Sequence, residues 1–265
     1  MDLIRLASTQ SCSRQMVKDI LRTRFHHLIR VFVGLDVLVF SELLRQSNGV
    51  VYGSAALWMF KTPCSWSPND INLLLPLNNT QPLSLFLISQ GFSLLHSHVM
   101  APAHFPSNQH AHTIKIFNHS VTHKRITITV SNSHSVFPLL LQPLDTLLMS
   151  FFTADGLVCF YPIQLFTNVR ICGSRQESNR RVDKANRLGF RSEMSTADWD
   201  GNCGVCCPIM IRRVCGLRGA ARFDWGPGPV IGSEDKMLKF ADVNHFKWRL
   251  GDICLNKNCA FYYKG

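Results

Sequence analysis

The sequence predicts an α+β fold, in which helices pack against a mixed β-sheet, followed by a loop-rich, cysteine-containing C-terminal appendage. Three observations lead to this prediction: helical periodicity over residues 15 to 47, short β-branched runs alternating with helical patterns from 50 to 160, and a concentration of cysteines after residue 200, where six of the ten lie. The predicted units are an N-terminal basic helical segment over 1–34, a main domain over 35–172, a polar connector over 173–197 and the appendage over 198–265.

Each element follows from a local pattern. Two apolar stripes at helical spacing predict two helices within 15–47, and Asn48-Gly49 is a typical stop signal for the second. The run Val50-Val51-Tyr52 predicts a strand that turns at Gly53-Ser54 into a helix ending near Phe60. The elements predicted after this are a strand at 70–76, a helix at 82–90, strands at 113–117 and 125–130, helices at 139–141 and 146–152, and a strand at 157–160.

Composition sets limits on the class of protein. The chain has 265 residues, of which 46% are hydrophobic and 17% charged, and this predicts a globular core. Charged residues precede the first long apolar run, and the run at 31–40 contains Asp36 and is too short to cross a bilayer. We therefore expect an intracellular protein of the cytoplasm or nucleus, with no membrane partner and with cysteines that are reduced, buried or metal-bound.

The charge distribution draws attention to one acid. The net charge of +11 favours polyanionic partners such as nucleotides or nucleic acid, although a generically basic protein has the same balance. Charged residues are sparse between 46 and 169, where the sequence has Lys61, Asp70, Lys115, Lys124, Arg125, Asp145 and Asp155. An acid in this part of the chain is therefore a candidate functional residue, and Asp70 is the first.

The segment around Asp70 has a recognisable order. The run from Val50 to Ser54, followed by Trp66-Ser67-Pro68-Asn69-Asp70-Ile71-Asn72-Leu73, resembles the nucleotidyltransferase superfamily, which includes polymerase beta and the poly(A) polymerases. In that family a Gly-Ser turn cradles the triphosphate, and acids at i and i+2 of the next strand hold two metal ions. The resemblance implies a nucleotidyltransferase-like main domain with Gly53 and Ser54 as nucleotide-binding residues and Asp70 as the catalytic acid.

The motif departs from the family at two acids. Asn72 occupies the second position, and the later strand that would supply a third acid offers only Thr127 and Thr129. Magnesium prefers carboxylate and phosphate oxygens, so the resemblance implies a catalytically degenerate, nucleotide-binding or scaffold module. In such a module we expect Asp70 at the start of a core strand, facing the Gly-Ser turn and bonded to backbone groups or to Ser54.

Other interpretations of this motif stay open. An active Mg²⁺-dependent nucleotidyltransferase could recruit Asp145 or Asp155 as a missing acid. Taken singly, Gly53-Ser54 is also typical of an ordinary strand-to-helix turn and Asp70 of a turn residue. The similarity extends over about 35–260 to minimal fungal members of the superfamily, in runs at 66–71, 83–92, 146–156 and 248–254.

The appendage contains a candidate metal site. Cys203 and Cys206 have the Cys-x-x-Cys spacing of zinc ligands, and Cys254 and Cys259 could supply the second pair. Cys207 competes as a ligand, and unligated cysteines are the simpler alternative. A third function follows from this site, a zinc-stabilised nucleic-acid-binding protein in which the basic segment 173–222 contacts phosphates.

Eight histidines lie between 96 and 134 without the i, i+4 spacing of a helical metal site. They are predicted to be loop and surface residues. His96 and His98 would share one face if that segment were extended.

Overall fold

The computed structural model describes residues 11–61, 66–77, 80–99, 110–142, 145–172, 179–193, 196–213, 220–225, 246–251 and 253–262. The helices are α1 (Ser11–Val33), α2 (Val37–Gln46), α3 (Ser54–Phe60), α4 (Gln81–Ser89), α5 (Phe137–Leu141), α6 (Pro162–Phe166) and α7 (Asn179–Arg187). The strands are β1 (Val50–Tyr52), β2 (Asp70–Leu75), β3 (Phe92–Val99), β4 (Ala111–His119), β5 (Arg125–Ser131), β6 (Ser150–Phe152), β7 (Gly156–Cys159), β8 (Val169–Ile171), β9 (Arg191–Glu193), β10 (Arg212–Arg213), β11 (Ala221–Asp224) and β12 (Lys247–Trp248).

A mixed sheet of eight strands forms the centre of the molecule, in the order β11-β7-β6-β1-β2-β5-β4-β3. The strand β1 lies antiparallel to both of its neighbours, β6 and β2. The pair β2 and β5 is parallel, and the chain between them supplies α4 and the β3–β4 hairpin. The structure therefore confirms the α+β class with a mixed sheet and packed helices.

The two faces of this sheet are covered differently. Alternate residues of a strand point to opposite faces, and in β1 Val51 joins one buried cluster while Val50 joins another. The Val51 face is covered by α1, α2, α3 and α4. The Val50 face is covered in part by α5 and by Leu250 from the C-terminal region. The even-numbered residues of β2, including Asp70 and Asn72, lie on this second face.

The predicted helices at 15–47 are present as α1 and α2, and their boundary has a local cause. Asn48 adopts φ 50, a left-handed conformation that asparagine tolerates. The N–H of Gly49 then donates to the carbonyl of Leu44 at 3.0 Å, which satisfies a carbonyl at the end of α2. The sequence prediction of a stop at Asn48-Gly49 is confirmed.

The prediction of a helix at 146–152 was wrong, and two other segments contain elements that were not predicted. The segment predicted as a helix at 146–152 forms a turn and then β6, whose residues are all buried. His96 and His98, predicted as loop and surface residues, are exposed as predicted, but they lie on β3, a mostly exposed edge strand. The predicted connector contains α7 and β9, and β9 pairs in parallel with β8.

Both ends of the chain contribute to the central sheet and its core. The strand β11 comes from the predicted appendage and pairs with β7 at the sheet edge. Trp225, directly after β11, lies 5.6 Å from the ring of Phe25 in α1. The boundaries predicted at 34 and 198 therefore do not separate the ends from the sheet. Within the described ranges, no helix is long and apolar enough to cross a membrane.

Candidate functional site

The turn between β1 and α3 has a backbone that requires glycine. Gly53 adopts φ 76 and ψ −144, a region essentially closed to residues with a Cβ atom. A Cβ atom placed on Gly53 would lie 3.6 Å from the amide nitrogen of Asn72. Ser54 begins α3 and is buried. The predicted Gly-Ser turn is therefore present, and it faces Asn72 of the neighbouring strand.

Asp70 and Asn72 lie together beside this turn. Asp70 is the first residue of β2, as predicted, and Asn72 shares its face of the strand. The side-chain nitrogen of Asn72 donates a hydrogen bond of 2.9 Å to the Asp70 carboxylate. Among the described residues this amide is the side-chain partner of Asp70, in place of the predicted Ser54 hydroxyl or backbone groups.

The third position of the motif is occupied by threonine. In the parallel register of β2 and β5, Asn72 lies opposite Thr127 and Asp70 lies opposite Arg125. The strand β5, which is the candidate position for a third acid, is thus adjacent to β2 and presents a hydroxyl at this point. The arrangement combines one carboxylate, one amide and one hydroxyl.

Tyr52 adds a second hydroxyl beside these groups. We refer to Tyr52, Asp70, Asn72 and Thr127 together as the polar row. Tyr52 lies opposite Asn72 in the antiparallel register of β1 and β2. Burial raises the pKa of Tyr52, a hydrogen bond with Thr129 opposes this, and the negative charge of Asp70 raises the pKa further. Tyr52 therefore stays protonated at neutral pH and keeps a donor at the site.

Asp145 is engaged elsewhere in the fold. Its carboxylate forms an ion pair with Arg170 at 2.5 Å, and the exposed fractions of the two side chains are 2% for Arg170 and 4% for Asp145. The same carboxylate accepts the backbone N–H of Leu147 at 2.9 Å. Asp145 is therefore a buried structural acid.

Asp155 lies at the opposite end of β1 from Asp70. It follows β6, which runs antiparallel to β1 with Phe152 opposite Val51, so the turn after Phe152 lies beside the start of β1. The three residues of β1 lie between the two acids, so their backbones are more than about 10 Å apart along the strand at 3.3 Å per residue. Asp155 also forms an ion pair with Arg45 at 2.7 Å. Neither acid predicted as a substitute is available to Asp70.

A second site lies in the C-terminal region, where four buried cysteines converge. The sulfurs of Cys203, Cys207, Cys254 and Cys259 all lie within 4.8 Å of one another. The Cys203 and Cys254 sulfurs are 3.8 Å apart, and those of Cys207 and Cys259 are 3.7 Å apart. Both distances are much longer than the roughly 2.05 Å of a disulfide bond. In the described part of the chain, this is the one group of three or more His, Cys, Asp or Glu side chains that could hold a metal ion.

Three of the four predicted zinc ligands belong to this cluster, and the fourth sulfur comes from Cys207. Cys206 ends the short 3₁₀ turn Gly204–Cys206, and its side chain lies outside the described residues. The sequence could not decide between Cys206 and Cys207 as a ligand, because the direction in which each side chain points depends on how the turn ends. Cys207 leaves the turn with φ −57 and ψ 127, an extended conformation.

Polar groups approach the sulfurs of the cluster. The amide of Asn256 donates to the Cys203 sulfur at 3.2 Å. Burial raises the pKa of the Cys203 thiol to about 11. Burial also acts to raise the pKa of Cys259, but hydrogen bonds from the backbone of Phe261 and Cys203, and from neighbouring thiols, lower it below its usual value. The cluster is therefore a set of interacting thiols.

Three arginines in the described part of the basic segment 173–222 have partners within the protein. Arg212 is buried, donates to the carbonyl of Phe160 at 2.6 Å and lies 4.4 Å from the ring centre of Tyr161. Arg191 and Arg222 form ion pairs with acids two residues further along the chain. These three arginines therefore have partners within the protein.

Comparisons with known proteins supply no relative for either site. No protein-family model, no curated protein and no solved structure matches the chain. The interpretation of the two sites therefore depends on their geometry.

Proposed function

We propose that this protein is a degenerate nucleotidyltransferase-like module, which binds a nucleotide as a ligand or scaffold element and does not transfer it. One observation carries the proposal: Asp70 stands beside the Gly53 turn with Asn72 and Thr127 in the positions where the family has its other acids. The order of strand, turn, helix and strand supports the family assignment. The composition of the polar row supports the loss of activity.

Charge argues against transfer by two metal ions. Two Mg²⁺ ions carry four positive charges, and the family uses several carboxylates to hold them over the reacting phosphate. Asp70 supplies one negative charge, and it already accepts a hydrogen bond from Asn72. Arg125 lies opposite Asp70 in the register of the strands, so a positively charged residue neighbours Asp70 in the sheet. A site of this kind attracts metal ions weakly.

The same groups are suited to binding without metal. The hydroxyls of Tyr52 and Thr127 and the amide of Asn72 are donors and acceptors on one partly exposed face of the sheet. Gly53 lets the backbone approach a ligand closely. A nucleotide held by these groups needs no divalent ion for its affinity.

The test is a binding measurement paired with a transfer assay. Fluorescent analogues of the four nucleoside triphosphates are titrated with the full-length protein in Mg²⁺ and in EDTA, and transfer is followed with α-labelled nucleotides and RNA or protein acceptors. We expect the affinity for nucleotide to change by less than about threefold between the two buffers. We also expect no label to be transferred to the RNA or protein acceptors. Mg²⁺-dependent transfer by the wild type, or the absence of nucleotide binding in both buffers, overturns the proposal.

The variant Asn72→Asp with Thr127→Asp provides a matched comparison, because it restores acids at both positions. We expect this variant to gain Mg²⁺-dependent nucleotide binding. A variant that binds equally with and without Mg²⁺ would argue that the polar row does not correspond to the metal site of the family.

A further inference from the structure

We propose that Cys203, Cys207, Cys254 and Cys259 bind a single Zn²⁺ ion in a closed, tetrahedral structural site. This inference is independent of the proposed function, because it rests on a cluster that lies in a different part of the fold. It also selects Cys207 over Cys206 as the fourth ligand.

The spacing of the sulfurs fits one ion. Zinc–sulfur bonds of about 2.3 Å at tetrahedral angles place the sulfurs about 3.8 Å apart. The two sulfur pairs in the cluster are separated by 3.8 Å and 3.7 Å. Four sulfurs within 4.8 Å of one another can therefore surround a common centre with little movement of the backbone.

Donors around the sulfurs match the needs of thiolate ligands. Four thiolates around Zn²⁺ carry a net charge of −2, which N–H and O–H groups stabilise. The amide of Asn256 reaches the Cys203 sulfur at 3.2 Å, and the hydroxyl of Thr196 lies 3.7 Å from the Cys254 sulfur. Asn256 is itself fully buried and also donates to the carbonyl of Gly201. A buried amide aimed at a sulfur is expected where that sulfur is a thiolate.

The surroundings indicate a structural role. All four sulfurs are buried and all four positions of a tetrahedron are filled by protein, so no position is open for water or substrate. The chain around the cluster has little regular structure, and the apolar residues packed against it are Trp199, Ile209 and Met210. A region with so small a core gains its folding free energy from a metal.

The metal content of two neighbouring variants tests the ligand set. Full-length wild type, Cys207→Ser and Cys206→Ser are purified in parallel, and zinc and iron are measured by elemental analysis together with affinity in competition with a chelator. We expect one zinc per chain in the wild type and in Cys206→Ser, and an affinity for zinc at least about tenfold weaker in Cys207→Ser. Equal loss in both variants, or loss in Cys206→Ser alone, overturns the assignment.

Two further measurements keep the proposal testable if Cys207→Ser does not fold. X-ray absorption of the wild type should give four sulfurs at about 2.3 Å from zinc. Asn256→Ala keeps all four ligands and should weaken zinc binding by about 10–100-fold. A coordination shell containing nitrogen or oxygen, iron in place of zinc, or failure of the wild type to bind zinc or Co²⁺ overturns the proposal.

Discussion

Replacing Asp145 with asparagine should destabilise this protein strongly, because Asp145 neutralises a buried arginine. Arg170 donates to one oxygen of Asp145 through Nε at 2.7 Å and through Nη2 at 2.5 Å. The exposed fractions of the two side chains are 2% and 4%. Asparagine retains the shape and can still accept the N–H of Leu147 with its oxygen, but its amide nitrogen then faces Arg170. The variant therefore removes both the negative charge and the acceptor of the two arginine hydrogen bonds.

The magnitude follows from the burial of Arg170. Breaking a buried ion pair by removing one partner costs about 3–5 kcal/mol, because the other charge is left without compensation. If the free energy of unfolding falls by about 2–3 kcal/mol per molar urea, this cost lowers the unfolding midpoint by about 1–2.5 M. A loss of this size is a large part of the roughly 5–15 kcal/mol of stability typical of a folded protein.

The assay is urea unfolding followed by tryptophan fluorescence, with Asp155→Asn as the matched control. The Asp155 pair with Arg45 is more exposed, with exposed fractions of 19% and 29%, so its loss should cost about 1 kcal/mol or less. Asp145→Leu combined with Arg170→Met should recover much of the stability, since it removes both charges. If Asp145→Asn unfolds at the same urea concentration as the control and loses nucleotide binding, then Asp145 belongs to the candidate site and our interpretation is wrong.

Two further variants test the candidate site itself by the same urea assay. Gly53→Ala should lower the free energy of unfolding by roughly 1–3 kcal/mol because of its φ of 76 and ψ of −144, whereas Gly201→Ala, which meets open space, should change it by less than about 0.5 kcal/mol; equal costs would contradict the backbone argument. Asp70→Ala should cost about 0.5–1.5 kcal/mol, because it removes the hydrogen bond with Asn72 at a partly exposed position. The stability lost in Asp70→Ala should be the same with and without Mg²⁺. A larger loss in the presence of Mg²⁺ would indicate a working metal site.

The order of elements around Asp70 could be predicted from the sequence because its causes are local. Gly53 fixes the turn, Pro76 limits β2, and Asn48-Gly49 ends α2. In this part of the chain the helices show apolar residues at helical spacing, and each strand is a short run bounded by turn residues. The two kinds of element can therefore be told apart. The position of Asp70 at the start of β2 followed from the same pattern.

The errors occurred where long-range packing decides the structure. The run at 146–152 is mostly apolar, and a strand buried on both faces cannot be told from a buried helix by periodicity. The edge strand β3 has no alternating apolar face, because it is mostly exposed, and it is held by pairing with β4. The pairing of β11 with β7 joins residues more than 60 positions apart, which no local pattern indicates.

The polar row lies in the central sheet and the cysteine cluster lies outside it, and this separates the two proposals physically. The polar row is centred on β2, with β1 and β6 between it and β7. The cluster connects to the region of β7, since Trp248 of β12 lies 4.9 Å from the ring of Phe160 and Leu250 donates its N–H to the carbonyl of Pro208. A metal that fixes the C-terminal chain therefore stabilises the edge formed by β7 and β11. The groups proposed to contact a nucleotide lie outside that edge, so loss of zinc can lower stability without removing any of them.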